Sequence, residues 1–144
     1  MILPGIYASQ ISGHLFTATG NYTSIATATV DSSGASSITF SSIPQGYSHL
    51  QIRGFAKAGT DTNMFYQFNG DTGNNYSVHR LYGTGSGVSA DSGIPYSSGN
   101  LGYNPSSTYF TGFVLDILDY TSAKNKVSRS LFGTDANEIG RAHV

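Results

Sequence analysis

Between Phe40 and Tyr76 two runs of β type are bounded by turn chemistry. The first is Phe40-Ser41-Ser42-Ile43-Pro44-Gln45-Gly46-Tyr47-Ser48-His49-Leu50-Gln51-Ile52-Arg53-Gly54, and the second is Phe65-Tyr66-Gln67-Phe68-Asn69-Gly70-Asp71-Thr72-Gly73-Asn74-Asn75-Tyr76. Alternation of apolar and polar residues sends them to opposite faces of a pleated strand. No window of the chain carries a sustained apolar stripe at helical spacing, so the sequence points to strands joined by turns.

The same reading extends along the chain. Tyr22, Ser24, Ala26, Ala28 and Val30 alternate with Thr23, Ile25, Thr27 and Thr29, which predicts a strand closed by the turn Asp31-Ser32-Ser33-Gly34. Ser36–Phe40 reads as a second strand, followed by a turn at Ile43-Pro44-Gln45-Gly46. The third, His49–Lys57, sets Leu50, Ile52, Gly54 and Ala56 on one face and Gln51, Arg53, Phe55 and Lys57 on the other. Met64–Asn69, closed by Asn69-Gly70-Asp71, and Tyr76–Tyr82 follow.

Residues 83–107 carry six glycines and two prolines, which reads as a surface excursion. Tyr109–Tyr120 is the longest candidate strand, with Thr111, Phe113, Leu115 and Ile117 opposed to Gly112, Val114, Asp116 and Leu118. Val127–Phe132 makes the seventh. The expected fold is all-β, an antiparallel β-sandwich of jelly-roll type over residues 22–144, with an irregular N-terminal arm over residues 1–21. Glu138–Val144 reads as the start of another element, so the sandwich is expected to lack its last strands.

A chain of 144 residues holds one domain of ordinary size. Only 10% of residues are charged and the formal net charge is -1, which argues against nucleic acid or an anionic membrane as partner. Order is still expected, because 38% of residues are hydrophobic and 10 Tyr and 8 Phe supply large buriable surfaces. With no cysteine, disulfides, thiolate nucleophiles and Cys-ligated zinc are excluded. The N-terminal Met1-Ile2-Leu3-Pro4-Gly5 lacks the basic and apolar regions of a signal peptide, and no stretch has membrane-spanning length.

Candidates for chemistry are sparse. His14, His49, His79 and His143 are scattered and give no metal-ligand spacing. Asn69, Asp71, Gly73 and Asn75 place side-chain oxygens around a turn in a manner a hard cation can use, but with one carboxylate the plain turn is the better reading. Asp116 and Asp119 suggest a glycosidase-type pair. At a spacing of three on a strand they face apart, so Asp116 is expected opposite Arg53 or Arg129 and Asp119 in the turn before Thr121-Ser122. Gly83-Thr84-Gly85-Ser86-Gly87 is neither a nucleophile elbow nor a phosphate loop. No cofactor is implied. Tyr82, Tyr96, Tyr103 and Tyr109 flank the glycine-rich excursion and are the candidate contacts for a glycan or a protein partner.

Three segments together carry a family resemblance: residues 41–54, residues 67–76 with His79 and Leu81 beyond, and Asp116-Ile117-Leu118-Asp119-Tyr120 before Lys124-Asn125-Lys126. They resemble the small β-rich structural proteins of tailed bacteriophages, especially those of marine and cyanobacterial hosts. The resemblance runs from about Ile25 to Arg129. It implies a non-enzymatic virion component made in the host cytoplasm, either decorating the head or belonging to the tail and its fibres. It also implies anchoring to other virion proteins through residues 1–21 and a homo-oligomer, trimers being common in fibres and at capsid local three-folds. Members usually continue past the position of Val144 with an aromatic Leu-Trp segment and a last pair of strands. The alternative expectation is a carbohydrate-binding adsorption module that recognises the host surface.

Overall fold

The computed structural model describes residues 22–60, 63–83, 87–102 and 107–134. The expected arm at 1–21, Tyr103 and the element begun at Glu138 lie outside the described residues. The chain divides into two units, Met1–Pro44 and Gln45–Val144. All described regular structure is β: β1 Leu50–Ala56, β2 Met64–Tyr66, β3 Tyr76–Gly83, β4 Val88–Tyr96, β5 Gly99–Gly102, β6 Thr111–Leu118 and β7 Val127–Thr134. They form three antiparallel sheets, β1-β6-β7, β2-β5 and β3-β4, each small and none closed.

The three-stranded sheet follows the alternation in its sequence. Its ladders place Leu50 opposite Ile117, Ile52 opposite Leu115 and Gly54 opposite Phe113, with Ser128, Ser130 and Phe132 continuing the same rows on β7. This face holds the core: Leu115 is 1% and Ile117 5% exposed. At its end Thr111 is fully buried and shares a hydrogen bond of 3.0 Å with the Thr134 hydroxyl across the ladder, which satisfies a polar group that water cannot reach. A Cβ on Gly54 would stand 2.7 Å from the Phe113 ring, so the ring occupies the space that a side chain on β1 would fill.

The β2-β5 pair lies against this inner face. The Tyr66 hydroxyl hydrogen-bonds the Ser128 hydroxyl, Ser130 Oγ donates to the Asn100 carbonyl at 3.4 Å, and Gly102 packs on the Phe132 ring. Tyr66, Phe68 and Tyr76 form an aromatic group with ring centroids 5.3 to 6.5 Å apart. It covers a hairpin-type turn in which Asn69 and Gly70 both have positive φ, 53° and 71°, and Asp71 N donates to Phe68 O at 2.9 Å. Two successive positive φ values define the type I′ turn that Asn-Gly favours.

Three expectations are corrected. Residues 22–30 and 36–40 form no strand, and every residue from 22 to 42 is exposed. The turn between them is present, with Gly34 N donating to Asp31 O at 3.1 Å and Gly34 at φ 79°. A strand is stabilised by its neighbour's ladder, and these runs have no such neighbour among the described residues. The supposed excursion at 83–107 contains β4 and β5. Three of its glycines are packing positions: the Tyr96 ring lies over Gly93, the Tyr66 ring over Gly99 and the Phe132 ring against Gly102. Met64–Asn69 is also shorter than expected as a strand, ending at Tyr66, because the chain turns away into the Asn69-Gly70 turn.

Candidate functional site

The β6-β7 ladder sets Asp116 opposite Arg129, and β1 sets Gln51 on its other side. Arg129 donates to Asp116 Oδ2 at 2.7 Å and Gln51 Nε2 donates to Oδ1 at 2.6 Å, while Arg53 donates to Gln51 Oε1. Both carboxylate oxygens are therefore engaged. The Arg129 bond first and the Gln51 bond second hold the Asp116 carboxyl below the usual aspartate range. A group fixed as an ionised acceptor has no proton to give, which is opposite to what a general acid needs.

Asp119 lies beyond the strand in a turn, at φ 47°, and its carbonyl accepts from Ser122 N at 3.0 Å and from Lys126 Nζ at 3.4 Å. Its amide donates to His49 Nδ1 at 3.0 Å, which fixes the start of β1 against the end of β6. The expected cross-strand pairing of Asp116 and turn position of Asp119 are both present, and the two carboxylates have separate partners.

The Asp71 loop is held from within. Asp71 Oδ1 accepts from Gly73 N at 2.9 Å and from Asn75 Nδ2 at 3.0 Å, and the Tyr76 hydroxyl accepts from Phe68 N at 2.9 Å while donating to Asp71 O at 3.3 Å. Donor groups point at the carboxylate where a cation would have to stand. Among the described residues no group of three or more His, Cys, Asp or Glu could hold a metal ion.

The tyrosines are dispersed. Tyr82 stands opposite Ser89 near the tip of the β3-β4 hairpin and Tyr96 opposite Tyr76 at its open end, about 20 Å away along the strand at 3.3 Å per residue. Tyr109 is half-buried ahead of β6, and Tyr103 is outside the described residues. Between Tyr82 and Tyr96 the sequence reading missed a feature: Arg80 lies opposite Asp91 and grips it with Nε at 2.6 Å and a second nitrogen at 2.7 Å. The Asp91 bond raises the Arg80 pKa above its ordinary value. The signal was present, since Arg80 and Asp91 lie on either side of Gly83-Thr84-Gly85-Ser86-Gly87 at nearly equal separation, three residues before Gly83 and four after Gly87. Tyr82, the Arg80–Asp91 pair and the Tyr96 ring over Gly93 thus follow one another along the hairpin.

Apolar surface is the more extensive feature. The outer face of β1-β6-β7 exposes Phe55 at 83%, Leu131 at 45%, Val127 at 63% and Leu118 at 42%, with the Asp116–Arg129 pair between them. Leu81 at 59%, Val88 at 76% and Ile94 at 76% are exposed on β3-β4. In the first unit Ile25, Val30, Ile38 and Phe40 are exposed as well. Among the described residues the buried hydrophobic side chains are Leu115 and Ile117, fewer than the large hydrophobic side chains left exposed. The chain matches no protein-family model, no curated protein and no solved structure.

Proposed function

We propose that this chain is a non-enzymatic structural protein of a tailed-phage virion, exposed on the particle as head decoration or as part of the tail and fibres. The observation that carries the reading is the exposed apolar surface on a domain whose buried apolar side chains, among the described residues, are Leu115 and Ile117. Such a domain reaches full burial by packing against further subunits. The resemblance of residues 41–54, 67–76 and 116–120 to phage structural proteins supplies the particle. In this reading the chain is a homo-oligomer, a trimer if it serves in a fibre or at a capsid three-fold, and residues 1–21 attach it to other virion proteins. The β1-β6-β7 sheet with β2-β5 against its inner face supports, in this reading, the expectation of a two-sheet sandwich. Mass spectrometry of purified particles of the encoding phage tests the proposal. The protein is expected in stoichiometric amount, and its absence from clean particles overturns it.

A second reading rests on a different observation, the run of Tyr82, Arg80–Asp91 and Tyr96 along the β3-β4 hairpin. Aromatic faces beside a charged hydrogen-bonding pair suit a sugar, which makes the chain an adsorption module for a host-surface glycan. A glycan array probed with the assembled protein checks it; binding that disappears in Tyr82→Ala and Tyr96→Ala supports it, and no binding by the wild type removes it.

A further inference from the structure

We propose that residues 26–31 of one copy add as a strand to the β7 edge of a second copy, so that copies are joined by exchanged strands. The inference rests on the reading of the chain as a homo-oligomer and specifies how its copies are joined. Its starting point is a mismatch: Thr23–Val30 has the alternation of a strand, yet it lies in no ladder and, among the described residues, makes no hydrogen bond. All of these residues are exposed, including Ile25 at 41% and Val30 at 44%.

β7 has the properties of an acceptor. Among the described residues it is an edge of the three-stranded sheet, eight residues long, paired with β6 in continuous register without a bulge. Edges that must stay unpaired are commonly blunted by lysine, proline, bulges or inward charges. Val127–Thr134 contains neither lysine nor proline, and its one charged residue is Arg129, on the outer face. From residue 22 to residue 48 the donor side has a single charged residue, Asp31.

Charge and face select one register. All ladders in this sheet are antiparallel, the more stable pairing, so an antiparallel addition continues it. Setting Asp31 opposite Arg129 brings Thr29 opposite Leu131 and Thr27 opposite Gly133 on the outer face. The same register brings Val30 opposite Ser130, Ala28 opposite Phe132 and Ala26 opposite Thr134, on the face that holds the core. The small apolar side chains thus enter the half-buried rows, the threonines face out, and Asp31 meets an arginine that is 82% exposed with only part of its guanidinium committed to Asp116. A shift by one residue reverses every one of these placements.

A single added strand of this length covers less than the about 800 Å² per partner of a standard stable interface. Reciprocal exchange in a dimer, or exchange around a closed ring, gives each copy two such contacts and leaves no unpaired end.

Absence of cysteine from the chain makes the test clean. Two singly substituted chains of different tagged mass, Thr29→Cys and Leu131→Cys, are co-expressed and oxidised mildly, and a parallel pair uses Val30→Cys and Ser130→Cys. Neighbouring ladder pairs alternate between close and wide Cβ spacing, so one of the two sets reaches disulfide geometry. The expected result is a mixed-chain disulfide in at least one in-register set and none for Thr29→Cys with Ser130→Cys, which lie on opposite faces. Absence of mixed-chain disulfide in both sets overturns the proposal, as does a bond found only within doubly substituted monomers. A second measurement uses Ala28→Asp, at an exposed position: the dissociation constant of the oligomer rises at least tenfold by sedimentation while the circular dichroism of the monomer is unchanged. Unaltered association of Ala28→Asp also overturns it. Neither measurement involves a phage particle, so the outcome is separable from that of the virion test.

Discussion

Thr23–Val30 and Leu50–Ala56 are written in the same pattern, and only the second is a strand. Leu50 and Ile52 face Ile117 and Leu115 across a ladder, so their alternation buries large side chains. The first segment alternates with equal regularity, but it offers mainly Thr, Ala and Ser and is exposed throughout. Alternation therefore states which side of a strand will be apolar; a neighbouring strand and a core decide whether the strand forms. The largest expected difference between the two regions is in core truncation. Leu115→Ala is expected to destabilise the chain by about 2–5 kcal/mol in urea unfolding, whereas Val30→Ala at concentrations where the chain is monomeric stays within about 0.5 kcal/mol of wild type. An equal cost for the two would show that the first unit shares the core's cooperative transition.

Much of the β1-β6-β7 sheet was legible because its alternation is carried by residues of contrasting size and polarity. The faces assigned to Leu50–Ala56 and Thr111–Leu118 are those observed, and of the two partners expected for Asp116, Arg53 or Arg129, the salt bridge is to Arg129. The Asn69-Gly70 turn was legible from turn chemistry alone. β4 and β5 were not, because glycine in sequence signals a break in equal measure whether the chain turns there or a ring lies on it. Gly99 is the sharpest instance: the Tyr66 ring occupies the position of its missing side chain. Gly99→Ala is expected to cost about 1–3 kcal/mol through overpacking, with much of the loss recovered in a Tyr66→Leu background. Additive effects of the two substitutions, read by thermal unfolding, would return Gly99 to the role of a simple chain break.

Two glycines extend the comparison to the turns. Gly34 and Gly70 both have positive φ, 79° and 71°, and a Cβ at either meets nothing within 4 Å. The backbone penalty for alanine is thus of the same kind at both. Gly70 closes the turn clamped by Tyr76 and Phe68, so Gly70→Ala should lower global stability by about 1 kcal/mol. Gly34 lies in the exposed stretch 22–42, and Gly34→Ala should leave the same unfolding midpoint unchanged, since a local turn can open without the sheet.

The smallest difference is electrostatic and appears only against pH. Asp116 and Asp31 are both held below the ordinary aspartate pKa, Asp116 by Arg129 and Gln51 across two ladders and Asp31 by Ser33 within its own turn. A carboxyl with a lowered pKa in the folded state favours folding above its unfolded value, near 3.9, and that contribution is lost as pH falls through the folded value. For Asp116 the contribution belongs to the sheet, because its partners lie on β1 and β7. Its size is limited by the open setting of the pair, with Arg129 82% exposed, so Asp116→Asn should cost about 0.5–1 kcal/mol at neutral pH. The wild type and Asp116→Asn unfolding curves should converge as pH is lowered through the acid range, the wild type being the one that moves. Asp31→Asn removes a carboxylate bonded only within an exposed turn, and the isolated monomer should unfold as wild type does across the same range. In the assembled protein the same substitution removes the partner placed beside Arg129, so an acid-dependent weakening of association that Asp31→Asn abolishes would locate the second role of that carboxylate between copies.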